Sequence, residues 1–253
     1  HHIKNIVEKN VISNLFCCGG YGFKDSSEFI KYFKRIFKAN TEGEIYISHV
    51  IYSMLIDGEV FKAEKADSYE DFGTSKEYFS YMNTFLTVFC DIDGVLTDGS
   101  FIKSTSGEEL RSFNALDGVG FVMLRLLDLN IKTAWITGRE SLTTTQRAEE
   151  LQIDDIYNGV IRKIDAYDEL KEKYGISDNE ICFIGDDIID IPILEKVGFA
   201  VTVPNAPKYI SNYSHYTTLL DGGRGAVREV IDLLIESRGD FTQQLDKLLS
   251  KLR

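Results

Sequence analysis

The stretch T87-V-F-C-D-I-D-G-V-L-T-D-G-S-F101 decides how the chain is read. Leu86 to Cys90 form an apolar run of strand length, and the pattern then predicts more core. Instead Asp91 and Asp93 appear, with Asp98 a few residues on. Burying an unpaired carboxylate is costly, so two acids two residues apart at the end of a buried strand point to chemistry rather than packing.

From Phe85 onward, strand and helix patterns alternate. FLTVFCD is followed by a hairpin-like segment, SFIKSTSGEELRSF, with a Ser-Gly turn signal at its centre. Then come helix DGVGFVMLRLLDLN, strand KTAWIT, helix SLTTTQRAEELQ, strand DIYN, helix KIDAYDELKEKYG, strand ICFIG, helix IPILEKVG and strand FAVTV. This order specifies an α/β fold, a doubly wound parallel sheet with right-handed connections and helices on both faces. Ligands of such sheets bind beyond the carboxyl ends of the strands. The polar residues following the strands are Asp91 and Asp93, then Thr137-Gly138-Arg139, Lys163, and Gly185-Asp186-Asp187. Gathered at one edge, they supply acids, a hydroxyl, an ammonium and amides opened by Gly94 and Gly138, an inventory for a metal and a phosphate.

A hard cation such as Mg2+ takes carboxylate and phosphate oxygens, and Asp91 and Asp186 sit where they can provide the carboxylates. A carboxylate is also a competent nucleophile toward phosphorus. Asp93 has the reach to protonate a leaving alkoxide and then deprotonate the attacking water. Thr137, Lys163 and the DIDG amides would neutralise the equatorial oxygens.

DIDGVLTDG, ITGR, Lys163 and GDDIID resemble, in order, the four motifs of the haloacid dehalogenase superfamily of phosphotransferases. FNALDGVG, ITGRES, GDDIIDIPILEKVGFAV and GGRGAVREV are similar to the 3-deoxy-D-manno-octulosonate 8-phosphate phosphatases and their sialic-acid-type relatives, over about residues 86–238. The resemblance implies Asp91 as nucleophile and Mg2+ ligand, and Asp93 as acid/base with its carbonyl on the metal. It implies Thr137 and Lys163 on the phosphoryl group, Asp186 as Mg2+ ligand and Asp187 orienting the ligands. It makes Arg139 and Arg224 candidates for substrate contact, and implies a site without a large cap, closed by a hairpin at about 98–113 and a neighbouring subunit, commonly in a tetramer. Leu116 and Val119 depart from the pattern, standing where those octulosonate phosphatases typically carry Arg and Tyr.

The first third reads differently. SSEFIKYFKRIFKAN spaces Phe29, Ile30, Phe33, Ile36 and Phe37 on one helical face behind a Ser26 or Ser27 cap, and YISHVIYSMLIDG does the same with Ile47, Val50, Ile51, Met54 and Leu55. NLFCCGGYGF and EVFKAE are strand candidates, and SKEYFSYM a third helix. This smaller α+β region resembles the C-terminal part of a sugar-1-phosphate nucleotidyltransferase without that family's Gly-rich nucleotide-binding start. The expected division is therefore 1–84 for this fragment, 85–238 for the phosphatase-like domain and 239–253 for a C-terminal helix.

Composition sets the frame. The chain has 253 residues, 43% hydrophobic and 27% charged, ordinary values for a folded protein. A net charge of -12 argues against nucleic-acid or anionic-membrane partners. The four cysteines follow no zinc spacing, and Arg125 and Asp128 interrupt the best apolar stretch well short of the ~18 residues of a span. A cytoplasmic enzyme acting on a small phosphorylated sugar is the expectation. Two other function classes fit these residues less well. A phosphoryl-receiving signalling module places its acid pair, Thr and Lys in a different order, and a catalytically idle assembly subunit has no reason to keep Asp91, Asp93, Lys163 and Asp186 together.

Overall fold

The computed structural model describes residues 2–6, 18, 20–39, 44–65, 73–105 and 109–253. The chain forms two compact units, His1–Glu70 and Asp71–Arg253.

In the first unit, β1 (His2–Ile3) pairs antiparallel with β2 (Phe61–Lys62), and α1 (Ser26–Ala39) and α2 (Ile47–Ile56) lie between them in sequence. Both helices fall where the spacing predicts. The buried side of α1 differs from the expected face. Tyr32 enters the small core with Val50 and Met54, flanked by Phe29 and Ile36, while Ile30, Phe33 and Phe37 face outward. Positions 29, 32 and 36 keep a helical period, so an aromatic with a polar tip takes the central place. Asp25, rather than either serine, receives the first-turn amide, its Oδ1 accepting from Ser27 N at 2.7 Å. NLFCCGGYGF lies largely outside the described residues, and its end, 20–23, is irregular.

The second unit opens with α3 (Ser75–Met82), capped by a reciprocal Thr74–Glu77 pair. Tyr81 hydroxyl donates to the carbonyl of Gly198 at 2.5 Å, and Met82 is buried in this unit's core. The strands and helices that follow are β3 (Thr87–Cys90), β4 (Ile102–Lys103), β5 (Glu109–Leu110), α4 (Ala115–Leu127), β6 (Lys132–Thr137), α5 (Leu142–Leu151), β7 (Asp155–Asn158) and α6 (Lys163–Tyr174). Then come β8 (Ile181–Ile184), α7 (Ile191–Leu194), β9 (Phe199–Thr202), β10 (Tyr216–Thr217), α8 (Ala226–Ser237) and α9 (Phe241–Leu252).

Six strands make one parallel sheet in the order β10-β9-β8-β3-β6-β7, the doubly wound arrangement that the alternation specified. Successive residues of a strand face opposite sides, which explains why the central strands read as unbroken apolar runs. Val88 and Cys90 of β3 pack with Cys182, Ile184, Trp135 and Val201 beneath α4 and α8. Phe89 packs with Ala134, Ile136, Phe183 and Ala200 against Ala166, Tyr167 and Leu170 of α6. Leu248 of α9 joins the first of these cores. The short edge strand β10 carried no sequence signal.

Two features position the site. Cys90 is aligned with Trp135 on one neighbour and Ile184 on the other, so the loops leaving β3 and β8 start at the same level, with β6 running two residues further to Thr137. The insertion between β3 and α4 is the antiparallel hairpin β4–β5, with Ile102 opposite Leu110, and no larger cap occurs among the described residues.

Candidate active site

Asp91 follows β3 directly, and its amide extends the ladder by donating to Ile184 O at 2.9 Å. Its side chain is 6% exposed, and Oδ1 lies 2.7 Å from Lys163 Nζ. Lys163, the first residue of α6, is wholly buried and also meets Asp190 Oδ1 at 2.7 Å. Asp190 in turn uses Oδ2 to accept the amides of Asp186 at 3.0 Å and Asp187 at 3.1 Å. One buried ammonium thus locks the loop after β3 to the loop after β8. Burial alone would depress the lysine's pKa, but Asp91 and Asp190 outweigh it and raise the value.

No sequence pattern marks Asp190, and the resemblance implies the orienting role for Asp187 instead. Asp187 is exposed, and among the described residues its carboxylate accepts its neighbour's amide, Ile188 N, at 2.7 Å. The contacts that orient Asp186 belong to Asp190. The one hint of it is spacing, since Asp190 lies one helical turn beyond Asp186.

Carboxylate oxygens of Asp91, Asp186 and Asp190 lie within 4.8 Å of one another. Burial first, and the neighbouring acids second, push Asp186 up to about 8. Asp91 rises to about 6, burial again leading, against the opposing pull of Lys163. Asp186 Oδ1 is buried without a hydrogen-bond partner among the described residues. With Asp190 consumed by Lys163 and two amides, Asp91 and Asp186 are the oxygen donors left. An orphaned carboxylate oxygen beside a second desolvated carboxylate fits a hard divalent cation.

Gly94 makes this approach possible. Its φ is +98°, and a Cβ there would lie 1.9 Å from Asp186 Oδ2. The turn is held from outside by Asn205, whose Nδ2 donates to Gly94 O at 3.0 Å while its Oδ1 accepts from Gly222 N at 2.7 Å.

Asp93 lies further out, with a 26% exposed side chain. Its Oδ2 is 3.5 Å from the hydroxyl of Thr137, the last residue of β6. Its Oδ1 is 3.1 Å from Nη1 of Arg111, a residue that nothing in the sequence distinguished. Thr137 Oγ1 also accepts from Arg139 N at 3.2 Å. The Arg139 guanidinium stacks 4.0 Å from the Phe101 ring and reaches Glu109 at 3.8 Å, on the hairpin side of the site. Gly138 leaves room beside Ile189. Arg224 is exposed on the turn before α8, where its amide donates to Asp221 O, and that turn is pinned by Asp117 Oδ1 accepting from Arg228 N at 2.8 Å. Leu116 and Val119 are both about half exposed at the start of α4.

Residues 128–231 match the family model of the haloacid dehalogenase-like hydrolases. The chain is 42% identical over 153 residues to the 3-deoxy-D-manno-octulosonate 8-phosphate phosphatase of Salmonella typhi, covering 60% of this chain and 80% of that one. It belongs to the haloacid dehalogenase-like hydrolases. Among solved structures of this family, the 3-deoxy-D-manno-octulosonate 8-phosphate phosphatase of Moraxella catarrhalis, in complex with magnesium, phosphate and KDO, is similar at a TM-score of 0.64. It is 34% identical, over 68% of this chain and 98% of that one. The cobalt-bound deoxy-D-mannose-octulosonate 8-phosphate phosphatase of Haemophilus influenzae is similar at a TM-score of 0.61 and 32% identity, over 65% of this chain and 98% of that one. The chain is an enzyme of this hydrolase family, a phosphatase. In the haloacid dehalogenase-like frame, Asp91, Asp93, Thr137, Lys163 and Asp186 all stand at the carboxyl edge of the sheet.

Proposed function

We propose that this phosphatase hydrolyses a phosphomonoester of a small sugar, 3-deoxy-D-manno-octulosonate 8-phosphate or a related acidic capsule or lipopolysaccharide sugar phosphate, with Mg2+ and through an aspartyl-phosphate on Asp91. The observation that carries it is the pairing of a buried carboxylate on a lysine, Asp91, with a second carboxylate, Asp186, whose Oδ1 has no partner among the described residues. The names of the relatives support the substrate class.

Asp91 and Asp186, with the Asp93 carbonyl, would hold the cation, which supplies charge neutralisation for an approaching phosphate. Lys163 fixes Asp91 so that its free oxygen points away from the ammonium and attacks phosphorus. The bond from phosphorus to the ester oxygen breaks, and Asp93 delivers its proton to that oxygen. Asp93, now a carboxylate, takes a proton from water, whose oxygen attacks phosphorus. The bond from Asp91 to phosphorus breaks and releases phosphate, and Asp93 is again protonated. Thr137 Oγ1 and the amides around Gly94 and Gly138 donate to the equatorial oxygens. Arg139 and Arg224 contact the sugar, with Leu116 and Val119 presenting an apolar lip to it.

The enzyme is proposed to be a homo-oligomer, a tetramer being favoured, because an open site must exclude water from the acyl-phosphate. The exposed apolar residues Phe101, Ile102 and Leu110 of the hairpin and Leu116 beside it support a covered rim. Light scattering tests this, and a fully active monomer would count against it. The first unit is proposed to be a nucleotidyltransferase-like fragment serving nucleotide-sugar synthesis, and the site of action the cytoplasm. Among the described residues no helix is long and apolar enough to cross a membrane.

Phosphate release from a panel of sugar phosphates, with Mg2+ and with chelator, tests the reading. Saturable turnover of an acidic sugar phosphate that stops in chelator is expected. No turnover of any phosphoester, or full activity in chelator, overturns it.

A further inference from the structure

Arg111 follows the second strand of the hairpin, and its side chain is wholly buried although the hairpin itself is largely exposed. Each contact of its guanidinium leads to a different element. Nε meets Glu109 Oε1 at 3.0 Å within the hairpin, and Nη1 donates to Thr144 Oγ1 at 3.0 Å in the first turn of α5. The same Nη1 lies 3.1 Å from Asp93 Oδ1. Nη2 is buried and has no hydrogen-bond partner among the described residues.

We propose that Arg111 is a positioning residue for Asp93, clamping Oδ1 so that Oδ2 is the oxygen that exchanges the proton with the ester oxygen and with water. The inference rests on the hydrolase reading above. A guanidinium has only donors, so Oδ1 is taken up by the ion pair and Oδ2 is the oxygen left to face substrate and water. That oxygen, Oδ2, is the one 3.5 Å from Thr137 Oγ1, on the side where a phosphoryl group would be held. Thr144 and Glu109 fix the guanidinium, so the clamp is set by α5 and the hairpin together. Asp93 alone, on a partly exposed loop, would sample several rotamers, and proton transfer is sensitive to placement on the scale of an ångström.

The test compares, in the first-turnover phosphorylation of the enzyme, an alkyl sugar phosphate, whose leaving oxygen needs the proton, with an aryl phosphate, whose leaving oxygen does not. Arg111→Met should slow formation of the acyl-phosphate from the alkyl ester by ~10–100-fold, with KM changed less than ~3-fold and formation from the aryl ester affected several times less. In an Asp93→Asn background the same substitution should cost less than ~3-fold, because the group it positions no longer transfers a proton. Thr144→Val keeps side-chain volume and removes one anchor of the guanidinium without deleting a charge, and should show the same alkyl-selective loss at smaller size. Equal losses on alkyl and aryl esters, or a full Arg111→Met loss that persists in the Asp93→Asn background, would overturn the proposal. A wild-type enzyme that released phosphate from neither ester would instead overturn the hydrolase reading.

Discussion

Replacing Asp190 by Asn keeps size and shape but cannot satisfy both sides of the residue. Its two oxygens face different donors, Lys163 Nζ at 2.7 Å on one side and the amides of Asp186 and Asp187 at 3.0 and 3.1 Å on the other. Asn offers one acceptor and one NH2. Turned either way, its NH2 opposes an ammonium or two N–H groups. The lost charge-assisted bond is worth about 1.5–3 kcal/mol and the mismatched buried donor about 1–3 kcal/mol. Together they give about 2.5–6 kcal/mol, and we take the ~3–5 kcal/mol typical of breaking a buried pair, which lies within it. For a unit of this size, at ~2–4 °C per kcal/mol, the melting transition should fall by roughly 6–20 °C. Asp187→Asn, at an exposed residue, should stay within about 0.5 kcal/mol of wild type. Calorimetry on the two variants makes the comparison. Equal shifts, or a loss below about 1 kcal/mol for Asp190→Asn, would refute the assignment of Asp190 as the residue that ties the two loops.

Three other outcomes are expected. Gly94→Ala would force a Cβ at φ +98° to within 1.9 Å of Asp186 Oδ2, so a strain of ~1–3 kcal/mol should come with weakened Mg2+ binding, measured by titration calorimetry. Asp93→Asn should form the acyl-phosphate ~10²–10⁴-fold more slowly from alkyl phosphates but little more slowly from aryl phosphates, read as the first-turnover burst of released alcohol or phenol. Mg2+ at about a hundred times its Kd should stabilise the wild type by ~2.7 kcal/mol in thermal melts. Asp186→Asn, lacking one of the two carboxylates, should show little of that gain.

The sheet was legible because β3, β6, β8 and β9 are buried on both faces and so read as apolar runs separated by amphipathic helices. The residues that break the apolar rule, Asp91 and Asp186, are those the fold brings within 4.8 Å. What escaped depends on tertiary context. Asp187 and Asp190 carry the same side chain in one short motif, and only the turn that follows β8 aims one inward and leaves the other in solvent. Arg111 is buried only because the hairpin lies against α5 and the loop of Asp93, which no local pattern announces. On α1, Tyr32 took the core position that an all-apolar reading assigned to Phe33. β1 and β10, two residues each, are too short to carry a periodic signal.

The central claim is that Asp91 carries the phosphoryl group between substrate and water. An aryl phosphate forms the acyl-phosphate without help from Asp93, whereas its hydrolysis needs Asp93 to deprotonate water. Asp93→Asn turning over an aryl phosphate with Mg2+, quenched in acid and mapped by peptide mass spectrometry, should therefore accumulate one phosphoryl group on the peptide containing Asp91, and none when chelator is added first. Phosphate released by this variant with no phosphorylated peptide at any time point, or a phosphoryl group on a residue other than Asp91, would contradict the account.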